Sequence, residues 1–283
     1  MQYGTDSTRV TVPPVSLGFF VVWLILISAL AGTVHVNDLD ASLFSSMVLG
    51  ITENKVLWLC LGIAIWHLIQ DRITPISRYA LIAALPAITL SLLSPGLIAW
   101  LGLAASLLLI HRCFRFTRSR TGMWLAIAAS SQLLVTEFLS QLGGDTILGA
   151  EAQFVGSVAG LFLNDIQVEG TALTGSQGHT LIMVWGCSSL SNLGHSLLLF
   201  WSLVSLRTPK LINSSQRWSM IACTGFICVL VVAVNLVRIG LMVIGPDMYQ
   251  YMHHGDGAGL ARITTLAMVA ILALSVFPHD KTS

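Results

Sequence analysis

The chain has 283 residues, of which 55% are hydrophobic and only 10% charged, with a formal net charge of +1 and a mean hydropathy of +0.81. A water-soluble domain cannot solvate such a surface, so the composition points to a polytopic membrane protein. The near-zero net charge gives no sign of a nucleic-acid partner, and five cysteines (Cys60, Cys113, Cys187, Cys223, Cys228) without a CxxC pattern indicate neither a disulfide framework nor a zinc site.

A helix that spans a bilayer needs about 20 apolar residues. Apolar runs predict helices near 15–34, 56–70, 79–94, 96–111, 123–142, 185–206, 218–244 and 258–277. This is an all-α fold with about eight transmembrane helices. A single integral membrane domain is expected over 1–283, with an N-terminal helical region (1–142) followed by a second region with an outer segment (143–262). The first run is too long, and followed by too many others, to be a cleaved signal peptide. Ser94-Pro95-Gly96 punctuates the third and fourth runs as a tight helical hairpin.

With both termini in the cytoplasm, eleven of the fourteen basic residues fall inside, leaving three outside: Lys55, Arg238 and Arg262. That asymmetry fits the positive-inside rule. Residues 143–184 then form an outer segment. Ala152 to Leu163 is apolar but too short to span, which predicts a re-entrant or interface helix. Asp165 to Thr174 alternates polar and apolar and breaks at Gly170, as a strand does. Such a segment either adds a substrate peptide as a further strand or is plain loop.

Three chemically useful groups thread to one membrane boundary. Cys187 stands at the outer start of the helix predicted over 185–206, and Arg238 lies within about two turns of the outer end of the next. The loop from Gly245 to Gly257 holds Asp247, His253, His254 and Asp256. A thiol at a helix N-terminus beside a guanidinium is expected to have a lowered pKa. The thiolate would be the nucleophile, and His253 or His254 the base that takes its proton and returns it to a leaving amine. Arg238 cannot be a base; it would stabilise the thiolate, hold a developing oxyanion or grip a carboxylate. Taken singly, each has a plainer reading. A membrane cysteine is most often a small inert hydrophobe, an arginine near a helix end snorkels, and loop histidines are solvated. His195, two turns into its helix, and His179, outside, rival the pair as base, and Asn235 either caps a helix contact or orients Arg238.

Val168-Glu169-Gly170, the cysteine that opens a helix, Asn235-x-x-Arg238-Ile239 and a histidine followed by glycines resemble the exosortase/archaeosortase family of membrane cysteine transpeptidases, over roughly residues 165–262. The resemblance implies that Cys187, Arg238 and one histidine are catalytic. His253, four residues before Gly257, meets the family spacing, and His254 is one residue further from Gly259. Members commonly read Cys-Ser-Gly-Leu-Arg where this chain reads Cys187-Ser188-Ser189-Leu190-Ser191, which leaves the subfamily and its motif open. The family implies substrates that are exported proteins with a C-terminal sorting signal such as Pro-Glu-Pro followed by one transmembrane helix and a basic cluster. It implies cleavage through a thioester on Cys187, with release to an amine, a lipid-linked acceptor or water, at the extracytoplasmic face of the cell (inner) membrane. Membrane lipids are then partners, nucleic acid is not, and no cofactor or metal is called for. The main rival is a non-enzymatic small permease or an assembly scaffold for export, in which Arg238, Asp256 and the histidines line a path. Against it, Glu137 is the only carboxylate well inside a predicted helix. No Gly-x-Ser-x-Gly and no His-Glu-x-x-His occurs, which disfavours serine and metal-dependent hydrolysis.

Overall fold

The computed structural model describes residues 17–33, 54–70, 78–93, 97–113, 120–163, 165–207 and 214–276. Arg9, Arg72, Arg115, Arg118, Lys210 and Lys281 of the charge asymmetry lie outside the described residues, as do the side chains of Arg78 and Cys113.

Leu-, Ala- and Ile-rich runs with little Gly or Pro form the helices. In chain order they are α1 (Leu17–Thr33), α2 (Lys55–Ile69), α3 (Arg78–Leu93), α4 (Leu97–Cys113), α5 (Arg120–Ala159), α6 (Ser189–Arg207), α7 (Ser214–Ile244), α8 (Pro246–His253) and α9 (Asp256–Ser275). The fold is therefore all-α, apart from three short strands between α5 and α6. Among the described residues, four helices (α5, α6, α7 and α9) are long and apolar enough to cross a membrane. At 15–17 residues, α1 to α4 are shorter and fall below the roughly 30 Å of a bilayer core unless the bilayer thins locally. Large apolar side chains cover the outer faces, including Trp23, Trp66, Phe138, Phe226, Val229, Ile263 and Ile271. An apolar exterior over an apolar interior marks a membrane-embedded protein.

Helices α3 and α4 form the expected hairpin. Pro86 interrupts the α3 ladder, and the Ala87 N–H donates to Ser106 Oγ of α4 at 2.9 Å, a neighbouring side chain satisfying disturbed backbone. The helices meet closely at Gly102, where a Cβ would come within 2.8 Å of the Pro86 carbonyl oxygen. Leu57, Leu61, Leu103, Leu107 and Met123 lie in the core that joins α1, α2, α4 and the first arm of α5. A second core, with Leu199, Phe200, Ile227, Val231 and Val269, joins α6, α7 and α9.

The outer segment departs from expectation. Residues 152–159 are helical as expected, but belong to a longer arm that begins after Gly143. The helix predicted over 123–142 continues to Ala159, bending at Gly143 (φ −150°, ψ 19°). Gly143-Gly144 reads as a break in sequence, but one non-helical residue bends the rod without ending it. The strand-like stretch is a strand: β1 (Gln167–Glu169) and β2 (Ala172–Thr174) form a hairpin, and β3 (Thr180–Ile182) completes an antiparallel sheet in the order β1-β2-β3. Gly170, at φ +57°, takes the first place of the two-residue turn, where a side chain would strain. Leu173, paired with Val168 on one side and Leu181 on the other, points into a third core with Leu148, Val155, Ile239, Met242 and Val243.

Candidate active site

The second arm of α5 and the sheet frame the turn that carries the cysteine. The helix expected over 185–206 starts at Ser189, not 185. Trp185–Cys187 form a single 3₁₀ turn, with the Cys187 N–H on the Val184 carbonyl at 2.8 Å and the Ser188 N–H on that of Trp185 at 3.0 Å. Ser188 is extended (φ −65°, ψ 141°), and its Oγ accepts the Leu190 N–H at 3.1 Å. Ser188 is thus the N-cap of α6, and Cys187 precedes the cap instead of occupying the first helical turn.

Glu151, on the far arm of α5, fixes this turn. Its carboxylate accepts the Ser188 hydroxyl at 2.6 Å and the Ser189 N–H at 2.6 Å, placing negative charge at the positive end of α6. From the other side, Asn235 of α7 donates through Nδ2 to the Cys187 carbonyl at 2.7 Å and to Ser189 Oγ at 3.1 Å. Its Oδ1 accepts from Asn192 Nδ2 at 3.2 Å. Buried at 3% exposure, Asn235 is a positioning group for the cysteine backbone.

Arg238 stands one turn beyond Asn235. Its Nε donates to the Met252 carbonyl at 3.1 Å, tying α7 to the end of α8. Residues 245–257 are therefore not simply loop: Pro246–His253 is a two-turn helix with Pro at its start. The His253 ring stacks on Tyr249 (centroids 5.0 Å apart, planes at 16°), and His253 Nδ1 lies 3.0 Å from His254 Nε2. Half-buried His253 faces a cavity of about 320 Å³, whose wall also includes Gly186, Asn192, His195, Asn235 and Arg238. His254 is exposed and off that wall.

The electrostatics differ from expectation in one respect. The Cys187 pKa is raised, not lowered. Burial of the sulfur is the main cause. The Arg238 guanidinium and a backbone hydrogen bond from Val184 oppose it, and the Glu151 carboxylate adds to it. Only 2% exposed, Cys187 is not itself on the cavity wall; Gly186 before it and Ser191 after it are. The His253 pKa is lowered, first by burial and then by the positive charges of His254 and Arg238. Arg238 thus acts electrostatically on both the thiol and the imidazole.

Of the other candidate bases, His195 shares this cavity wall and His179 does not. His195 is on the cavity wall but deeper, with Nδ1 on the Ser191 carbonyl at 3.0 Å and near Gln132 Nε2 at 3.4 Å. His179 packs beside Tyr249 (centroids 5.6 Å), with Nε2 buried and without a partner. Asp247 and Asp256 stand in the first turns of α8 and α9, and neither lines the cavity. Glu137 is exposed, its carboxylate taken by Gln141 at 2.8 Å. Cys60 is buried in α2, and Cys223 and Cys228 are half-buried in α7. Among the described residues, no three of His, Cys, Asp and Glu assemble as a metal site requires. Glu151 escapes sequence reasoning because the helix predicted there ends at 142. Its signal is a lone acid in the apolar stretch from Ile147 to Val155. No protein-family model, curated protein or solved structure matches the chain.

Proposed function

We propose that the chain is a cysteine transpeptidase or protease of exosortase type, embedded in the cell membrane. It would cleave the C-terminal sorting signal of exported proteins through a thioester on Cys187. In this reading all eight long helices span, with both termini cytoplasmic and the site on the extracytoplasmic side. The observation that carries the reading is the single cavity wall that brings together Arg238, His253 and Gly186, the residue before the buried Cys187.

A buried, protonated thiol needs a base, and an imidazole with a lowered pKa is neutral and able to act as one near pH 7. His253 Nδ1 faces His254, which leaves Nε2 to take the proton from sulfur. The thiolate adds to the scissile carbonyl, and the Arg238 NH groups not used on Met252 hold the oxyanion. Collapse of the adduct breaks the peptide C–N bond as His253 returns the proton to the leaving amine. An amine, a lipid-linked nucleophile or water then attacks the thioester, gives its proton to His253 and restores the thiol. The peptide must open the wall over Cys187, and Gly186, where an added Cβ would meet nothing within 4 Å, leaves space on that wall.

The test is a co-expressed substrate with a C-terminal sorting signal. Processing, and a hydroxylamine-sensitive adduct, should require Cys187 and survive alanine at Cys60, Cys113, Cys223 and Cys228. An adduct that persists in Cys187→Ala overturns the assignment.

A further inference from the structure

Lys55, Arg238 and Arg262, the three cations that threading leaves on the outer side, all line the one cavity described above. They come from three separate helices: Lys55 opens α2, Arg238 is near the end of α7 and Arg262 is in the second turn of α9. No Asp or Glu lines that cavity among the described residues. Three like charges converging on one open cavity repel each other, although the exposure of Lys55 and Arg262 lets solvent screen part of that repulsion. Positive charge is also disfavoured on that side of a membrane. Both costs are offset by an anion in the cavity. The start of α2, with Lys55 and Val56 on the wall, adds the partial positive charge of a helix N-terminus.

We infer that the cavity binds the phosphate of a phosphomonoester or diphosphate headgroup, with Lys55 and Arg262 as dedicated anion ligands beside Arg238. A single carboxylate would neutralise one of three cations, whereas a phosphomonoester dianion or a diphosphate meets two or three. The cavity volume of about 320 Å³ is at the small end of ligand sites, sized for a headgroup and not for a folded partner. Its place at the ends of membrane helices favours a lipid as the carrier, so that the acyl chains remain in the bilayer. Anion binding rests on the three cations of the cavity; the outer placement, the lipid carrier and any role of the bound group beside the nucleophile rest on the transpeptidase reading and its topology.

The experiment measures binding to the full chain purified in detergent, with four probes: short-chain phosphatidic acid, short-chain phosphatidylcholine, inorganic phosphate and a short acidic peptide. Phosphatidic acid should bind at least tenfold more tightly than phosphatidylcholine. Lys55→Gln and Arg262→Gln should each weaken it about tenfold, which is about 1.4 kcal/mol. Inorganic phosphate as tight as phosphatidic acid identifies a soluble phosphate as the source. Weaker phosphate, still competing with the lipid, identifies the lipid. Preference for the acidic peptide, equal binding of the two lipids, or affinity unchanged in both variants overturns the inference. If a variant fails to accumulate, competition between phosphate and phosphatidic acid on the parent protein still decides. Processing is measured alongside. In the parent protein, phosphate binding without processing isolates a failure of the transpeptidase reading, and processing without phosphate binding isolates a failure of this one.

Discussion

At the scale of single residues, the cysteine turn is held by two side chains with opposite effects on the thiol. Glu151 braces Ser188 and Ser189 while its charge pushes the Cys187 pKa up; Arg238 pulls it down. The raised pKa predicts that alkylation of Cys187 accelerates with a midpoint above the ordinary thiol range, because the thiolate forms only as pH exceeds the shifted value. Removing the negative neighbour favours the thiolate, so in Glu151→Gln the midpoint should move down, while processing falls as charge-assisted bonds worth about 1.5–3 kcal/mol weaken. A midpoint that moves up would show that Glu151 acts on the thiol otherwise than by its charge. For Arg238 the decisive substitution is lysine. One Arg238 N–H is already spent on Met252, and a lysine ammonium on a flexible stem lacks the planar fork that would hold that carbonyl and an oxyanion in one fixed geometry. Arg238→Lys should therefore lose about 2–4 kcal/mol of transition-state stabilisation, read as kcat/KM, while the protein still accumulates. Near-normal processing by the lysine variant would reduce Arg238 to an interface anchor.

At the scale of elements, the small sheet is locked to the helices by glycine. A Cβ at Gly175, in the β2–β3 connection, would overlap the Val243 carbonyl oxygen on α7, and one at Gly156 of α5 would overlap Val168 Cγ2 on β1. Gly175→Ala should cost about 1–3 kcal/mol through overpacking, measured as earlier thermal unfolding and faster proteolysis between β2 and β3. Unchanged stability would mean that the loop shifts freely off α7. The hairpin itself is legible in sequence because Gln167-Val168-Glu169 alternates and Gly170 supplies the turn. The arm of α5 beyond Gly143 is not legible. Two glycines and Asp145 look like a loop, and what keeps 144–159 helical is packing of Leu148, Ala152 and Val155 against α7 and the sheet. Helix α8 is missed for another reason: its eight residues are mostly polar, too short for a periodic pattern, and only Pro246 marks its start. The start of α6 is misplaced by four residues because an apolar run does not distinguish a helix from the 3₁₀ turn that precedes it.

At the scale of the whole molecule, the proposed topology makes a simple prediction. In a cysteine-free variant, a single cysteine placed at 250, in α8, should react with an impermeant maleimide in intact cells. One at 115 should react only after lysis. The reverse pattern would invert the thread and move the cavity away from exported substrates. The grouping of candidate site residues was readable because successive spans return the ends of α6, α7 and α9 to one boundary, whatever the details between them. That Lys55 joins the same cavity was not, since it depends on α2 packing against α6, which includes His67 Nε2 at 3.1 Å from Ser205 Oγ. No spacing along the chain encodes that contact.

The depth of Cys187 has a consequence for chemistry in an oxidising compartment. On the proposed outer face, a standing thiolate would be drawn into sulfenic acid or mixed disulfides, since both reactions begin at an accessible ionised sulfur. A sulfur 2% exposed and held protonated offers oxidants little to attack. On the proposed reading, the wall that delays a substrate would also keep the nucleophile reduced between turnovers.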